Sequence, residues 1–455
     1  MTSTITENMV DDWVTHKDFR WLWDIVESEA LASQWFGVSM VPKAWEDAWL
    51  TKGLSRYLSG LYNEHKNGKE EYLSYQYNPQ LTAYLTDWNT GNIQPVVGDN
   101  VEDPTTFVRS NRPYIQGATV FHMLRKELGD EKWFEVLKSF SQRYKGKAVS
   151  ASDFIEVVNK NSDQNMNWFF DQWLFGVGHP IFEVSKKWDE MGKELVLSVR
   201  QIQQLDTLKS HFPINEYFQG KMQIELGEKI EEVYIQPRAE NIYSFSQLSE
   251  PAFINFDFES AWIKEEQFVK TLQEWINQFL HSKDILARIS ALNQLGLIAN
   301  QKSADKEDKQ KIYATMRSVI LNSESYWRLK MLTLWQLQGL LVRKGKLTLD
   351  TETEKMLLHT IESEESWVKS RAVWFLEMSE KSKYADLYID LFADWSDRVT
   401  NAAAIALGKT KSPKAYDALI ELQHKPSWKN QSLISTLNGL QWLEEERGID
   451  LVLKS

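Results

Sequence analysis

At 455 residues the chain exceeds what a single hydrophobic core organises, and it is expected to divide into two to four domains. Its composition, 42% hydrophobic and 25% charged with 20 Trp, 16 Tyr and 21 Phe, is that of a folded protein and excludes a chain dominated by disorder. A net charge of −12 with no offsetting basic tract argues against nucleic acid as a ligand, because affinity there comes from Lys and Arg neutralising phosphates.

There is no cysteine, so disulfides and thiolate metal sites are excluded, which fits a reducing compartment. The first 30 residues carry early acids and no apolar h-region, and no run of 18 apolar residues occurs anywhere. The expectation is neither a signal peptide nor a membrane span, and a cytoplasmic protein.

From about residue 10 to 182 the pattern is helical, in aromatic-rich segments such as "DEKWFEVLKSFSQRY" and "ASDFIEVVNKN". In the second, Ser152 or Asp153 is placed to cap the start, and Phe154, Val157 and Val158 fall at helical spacing. "FGVGHP", Phe175 to Pro180, breaks the helical pattern with two glycines and a proline and reads as a domain boundary. Beyond it the pattern becomes an alternation of apolar and polar residues. "ELVLSVRQ", "KMQIEL", "EEVYIQP" and "AFINFDF" read as half-buried antiparallel strands of a small β-sandwich. After about residue 266 helices return in short, similar units, with Ala291, Met331, Ala372 and Ala403 in equivalent places. That repetition predicts a helical-hairpin array resembling HEAT-type repeats, with a plain helical bundle as the alternative. The fold class is therefore multidomain and mainly α. The expected division is a helical lobe over 1–182, a β-sandwich over 183–265 and a HEAT-like α-solenoid over 266–455.

One stretch carries a family signature. In "ESEALASQWFGVSMVPKAWEDAWLTKGLSRYL", the run Gln34-Trp35-Phe36-Gly37, followed by Pro42, Trp45, Glu46, Asp47, Trp49, Leu50 and Gly53, resembles the M1 aminopeptidase family. The zinc helix of that family reads His-Glu-x-x-His before Gln-Trp-Phe-Gly, and a second helix begins Trp-Leu-x-Glu-Gly. "RPYIQGATVFHML" is similar to the family's Tyr-x-x-Gly-Ala segment, and "NWFFDQWLFGVGHP" to the end of its thermolysin-like domain. The resemblance implies that residues 1–182 are the helical lobe of such a peptidase domain, and that the sandwich and array follow in the family's order.

The chemistry departs from the pattern. A zincin needs two histidines one helical turn apart, so that both imidazoles share a face, and a third ligand from a neighbouring helix. Aligned through Gln34, the resemblance puts these positions at Glu29, Ser33 and Lys52, and the general base at Ala30. No metal or other cofactor is expected. The eight histidines, His122 and His179 among them, stand alone and read as surface or packing residues.

Two readings of the altered positions stand open. Glu29 and Lys52 face each other in an internal salt bridge where the family holds zinc, or both side chains have drifted to solvent. Tyr114 aligns with the tyrosine that the family uses to stabilise the oxyanion, and it is read as retained for packing. The family's Gly-x-Met-Glu-Asn segment precedes the zinc helix, whereas only 28 residues precede Glu29 here and none forms it. The resemblance therefore implies a truncated lobe with an exposed apolar patch, including Trp13, Phe19, Trp21 and Trp23. A second chain, or the first 25 residues folding back, would cover it. The functional expectation is a pseudopeptidase acting as a scaffold for a protein partner, its own copy or a peptide. The alternative is a zinc metalloaminopeptidase whose missing parts a partner chain supplies.

Overall fold

The computed structural model describes residues 10–98, 103–204, 212–343, 346–347, 349–379 and 381–444. The chain divides into two compact units. Asp24–Ala287 make the first, and the chain from Arg288 onward, together with the segment ending at Trp23, makes the second.

In the first unit, helix α1 (Trp13–Ala32), which enters it at Asp24, is followed by α2 (Trp49–Asn67), α3 (Asn78–Asn89), α4 (Gly117–Leu128), α5 (Asp130–Tyr144) and α6 (Ala151–Asn161). Their apolar stripes meet in an aromatic core. Trp49 stacks on Phe121 at 4.9 Å, Phe154 meets Trp49 edge-on at 5.8 Å, and Tyr57 meets Trp133 edge-on at 5.5 Å. All five rings are buried, and such offset and edge-to-face pairs add to the stabilisation of area burial alone. His122 and His179 are buried packing residues. His122 Nδ1 lies 2.9 Å from the Tyr72 hydroxyl and its ring lies on Tyr77, while His179 sits between Tyr84 and Glu265.

The start of α6 lies two or three residues before the expected cap at Ser152 or Asp153. Ser150 is the N-cap residue, and Asp153 reaches back to accept from the Ser150 backbone N–H at 2.8 Å and its hydroxyl at 2.7 Å. Lys43 adds an ammonium at 2.6 Å. Against a desolvation that raises its pKa, these hydrogen bonds hold the Asp153 carboxyl down at about 2, below its ordinary 3.8. The sign follows from that depression. The stabilisation is present above the unfolded pKa and is lost as pH falls through the folded one. Asp153→Ala is expected to cost about 1 kcal/mol at neutral pH, as cap deletions do. In urea titrations the cost should shrink between pH 4 and pH 2, and an unchanged cost there would count against the assignment.

Besides a two-residue parallel pair, Val41–Pro42 with Ala148–Val149, the strands of the first unit are β1 (Ile181–Asp189), β2 (Glu194–Gln201), β3 (Gly220–Leu226), β4 (Lys229–Ile235), β5 (Glu240–Ser246), β6 (Ile254–Phe256) and β7 (Glu265–Phe268). They form a four-stranded sheet in the order β5-β2-β1-β7 and a three-stranded sheet in the order β4-β3-β6. Leu195, Leu197 and Val199 of β2 point inward, and Phe182 and Phe256 meet edge-on at 5.3 Å between the sheets. One pairing departs from the antiparallel expectation: β7 runs parallel to β1, Ile181 opposite Glu265.

The second unit is helical. α8 (Ile285–Asn300) follows α7 (Leu272–His281) across the boundary and leads to α9 (Lys306–Leu321), α10 (Trp327–Leu341), α11 (Thr351–Ile361), α12 (Ser366–Glu377), α13 (Asp397–Thr410), α14 (Ala415–Leu422) and α15 (Gln431–Leu443). α10 packs on α12, α12 on α13 and α13 on α15, so these helices rest on one another in succession. Ala372 and Ala403 are buried at these crossings, as is Ala291 in α8, whereas Met331 is half-buried.

The N-terminal aromatic residues, expected in an apolar patch that a second chain or the first 25 residues would cover, are divided in their surroundings. The segment before Asp24 belongs to the second unit, where Phe19 meets Trp367 edge-on at 5.7 Å and Trp13 lies against Trp395 at 6.4 Å. The buried Asp18 carboxylate accepts from the Ser396 hydroxyl at 2.8 Å, and its carbonyl accepts from the Trp367 indole. Trp23 is half-buried, Trp13 keeps 69% of its surface exposed, and the side chain of Trp21 lies outside the described residues. The physical reason is that these rings find aromatic partners in the second unit, Trp367 on α12 and Trp395 in the bend before α13. Within this segment α1 has non-helical angles at Phe19 (φ −127°, ψ 25°).

Candidate functional site

The residues singled out in the sequence converge. Glu29, Ala30 and Ser33 from α1, Lys52 from α2, and Tyr114 from a π-helical turn at Arg112–Gln116 line one cleft of about 380 Å³, with Phe36, Gly37, Ser55 and Arg56 among its other walls.

Glycines set this geometry. α2 and α4 approach so closely at Gly53 and Gly117 that a Cβ on Gly53 would lie 2.9 Å from the Gly117 carbonyl carbon. That contact holds α2 against the turn that carries Tyr114. Gly37 (φ +151°) lies in a region that favours glycine, and a Cβ there would lie 3.0 Å from the Ser33 carbonyl. The Ser55 hydroxyl donates to the Phe36 carbonyl at 3.0 Å and ties this exit turn to α2. Phe36 is buried, but Trp35 keeps 54% of its surface exposed, so of the two aromatic residues in the Gln34–Gly37 run Phe36 is the one that packs inward. Leu31 and Val38 are exposed near it in the chain.

The charges are arranged differently from the expected salt bridge. The cation beside Glu29 is the guanidinium of Arg56, Nη1 to Oε2 at 3.4 Å, and not the ammonium of Lys52. The Tyr114 hydroxyl donates to the same Glu29 oxygen at 2.6 Å, and the Arg56 guanidinium lies 5.4 Å from the centre of the Tyr114 ring. The reason is geometric. Arg56 stands one helical turn beyond Lys52 on α2, on the same face and nearer the Tyr114 turn, and its longer fork reaches the carboxylate. Lys52 is exposed and makes neither an ion pair nor a hydrogen bond among the described residues.

Burial is the foremost cause that raises the Tyr114 hydroxyl above the ordinary phenol range, with Arg56 opposing and Glu29 adding to the shift. Tyr114 is therefore a neutral donor at physiological pH, and its proton is directed at Glu29. The Ser33 hydroxyl donates into its own helix, to the Ala30 carbonyl at 2.7 Å.

A zinc ion does not fit these donors. One carboxylate, already hydrogen-bonded, faces a serine turned to its helix and a lysine that repels a cation, where a catalytic zinc site needs three imidazole or carboxylate ligands. Among the described residues no group of three or more His, Cys, Asp or Glu side chains could hold a metal ion. Among those residues, too, no helix is long and apolar enough to cross a membrane. The residue that sequence reasoning missed is Arg56. Its signal was the i, i+4 spacing from Lys52, which places two cations on one helix face.

Comparison with known proteins gives a consistent relationship. Residues 2–173 match the Peptidase family M1 domain. Transcription initiation factor TFIID subunit 2 of Schizosaccharomyces pombe is 31% identical over 189 residues, covering 38% of this chain and 15% of that protein. Glutamyl aminopeptidase of Rattus norvegicus is 27% identical over 177 residues, 38% of this chain and 19% of that one. Aminopeptidase N of Lactococcus lactis is 22% identical over 331 residues, 65% of this chain and 36% of that one. The aligned part of the chain thus spans 15% to 36% of the length of these relatives. The crystal structure of Legionella pneumophila aminopeptidase A in complex with aspartic acid superposes with a TM-score of 0.70 over 94% of this chain and 53% of that one. At 14% identity this is a likeness of fold.

Proposed function

We propose that this chain, a member of peptidase family M1, is a non-catalytic scaffold that has kept the architecture around the family's cleft without its zinc chemistry. The observation that carries the reading is the state of Tyr114. The phenol that could polarise a substrate carbonyl donates to Glu29, and Ala30 stands where the resemblance expects the base. An oxyanion donor without an activated nucleophile leaves the acyl-transfer barrier nearly untouched.

In this reading the chain is organised as a helical lobe over 1–182, a sandwich over 183–265 and a HEAT-like array over 266–455, and it acts by binding a protein or peptide. Two relatives named as TFIID subunit 2 support a place within a protein assembly. The cysteine-free composition supports a reducing compartment, the cytoplasm or the nucleus.

Assay of a panel of aminoacyl p-nitroanilides, with zinc supplied, tests the reading. The expected result is no turnover above buffer. Turnover that disappears on Tyr114→Phe would contradict it.

A further inference from the structure

The cleft holds two cations against one anion in a chain whose net charge is −12. Arg56 gives Glu29 only a long contact of 3.4 Å, and its Nε is buried without a hydrogen-bond partner among the described residues. Lys52 lines the cleft, and its ammonium has no partner among the described residues. Glu29 itself shows which ligand this wall takes, because its carboxylate sits on the Tyr114 hydroxyl and the Arg56 guanidinium. A cleft of about 380 Å³ leaves room for a few residues of a second chain.

We infer that the cleft receives a carboxylate carried by a polypeptide ligand, which Lys52 and Arg56 bind in competition with the chain's own Glu29. The inference rests on the reading of the cleft as non-catalytic and adds the chemistry that the cleft recognises. Lys52 attracts the ligand carboxylate from the open side. Arg56, weakly engaged by Glu29, supplies the directional hydrogen bonds once the ligand arrives. The two substitutions therefore act in opposite senses. Lys52→Met removes an attraction from an exposed position, where the side chain has no ion pair or hydrogen bond to lose among the described residues. Glu29→Gln keeps an acceptor for Tyr114 but removes the competing charge.

The experiment is calorimetric titration of the full chain with three short peptides. One has a free carboxyl terminus, the second is its C-terminal amide, and the third is an amide with an internal glutamate. Binding of the free acid and not of its amide identifies a C-terminal carboxylate. Binding of the glutamate amide identifies an acidic side chain, and either outcome supports the inference. Lys52→Met should then weaken binding about fivefold and Glu29→Gln should tighten it by about the same factor. Failure of both acidic peptides to bind, or affinities that neither substitution moves, would overturn the inference while leaving the non-catalytic reading standing. Zinc-dependent turnover in the hydrolysis assay would instead remove that reading itself.

Discussion

Gly408→Ala is expected to destabilise the second unit by about 1–3 kcal/mol, the range for overpacked sites. The sign is informative, because alanine is the better helix former by about 1 kcal/mol and would otherwise stabilise α13. Gly408 lies where α13 crosses α15, and a Cβ there would lie 2.1 Å from the carbonyl oxygen of Gly439. The approach is mutual. A Cβ on Gly439 would lie 2.8 Å from the Ala404 carbonyl oxygen, so neither helix can yield by rotating a side chain. Gly339→Ala in α10 is the matched control, since nothing lies within 4 Å of its added Cβ, and it should raise stability by a fraction of a kcal/mol. Chemical denaturation of the two variants should move in opposite directions. Stabilisation by both would mean that propensity alone governs and that the array is packed more loosely than described.

Gly53→Ala should have a comparable effect on the first unit, about 1–3 kcal/mol, with a consequence at the cleft. Its Cβ would meet the backbone of Gly117 and Ala118 at 2.9–3.1 Å, which forces α2 away from α4. Because Lys52 and Arg56 flank Gly53 on α2 and Tyr114 precedes Gly117, the strain falls on the hydrogen bond between Tyr114 and Glu29. Hydrogen exchange should show loss of protection in α2 and in the turn at Arg112–Gln116, with α5 and α6 much less affected. Uniform loss across the unit, or none, would show that the two glycines do not set the cleft.

The contrast between these glycines and the strands shows what the sequence made legible. Strands β2 and β3 could be read because their buried positions carry Leu, Val, Met and Ile in alternation, whereas β4 buries only Ile235 fully and β6 is buried at all three residues, so those two were marked by their apolar residues and not by an alternation of burial. β5 could not be read, because its inward positions are Asn241 and Phe245 while Ile242 keeps 60% of its surface exposed, which inverts the hydrophobic pattern. β1 loses its alternation at Lys186 and Lys187, and β7 has only Phe268 buried. The start of α6 was misread for a similar reason. "SASD" offers three capping residues in four positions, and Asp153 completes the cap from inside the helix.

In the cleft, the positions Glu29, Ala30, Ser33, Lys52 and Tyr114 were legible through the family resemblance, and the structure brings them to one place. The pairing was not legible. Lys52 and Arg56 both lie on the face of α2 turned to Glu29, and only the position of the Tyr114 turn selects the guanidinium. The N-terminal aromatic residues carried an apolar signal without a direction. Trp367 and Trp395, which meet them in the second unit, lie hundreds of positions away in the chain and offered no local cue.

In the proposed reading the cleft holds an internal carboxylate, bound by Tyr114 and Arg56, and no metal. Native mass spectrometry of the full chain, purified without chelators and then incubated with zinc, tests it most directly. The account predicts the bare chain mass, alone or in multiples, with no stoichiometric zinc retained. A reproducible one-to-one zinc adduct that Glu29→Ala abolishes would contradict it, because the carboxylate would then be a metal ligand rather than the partner of Tyr114 and Arg56.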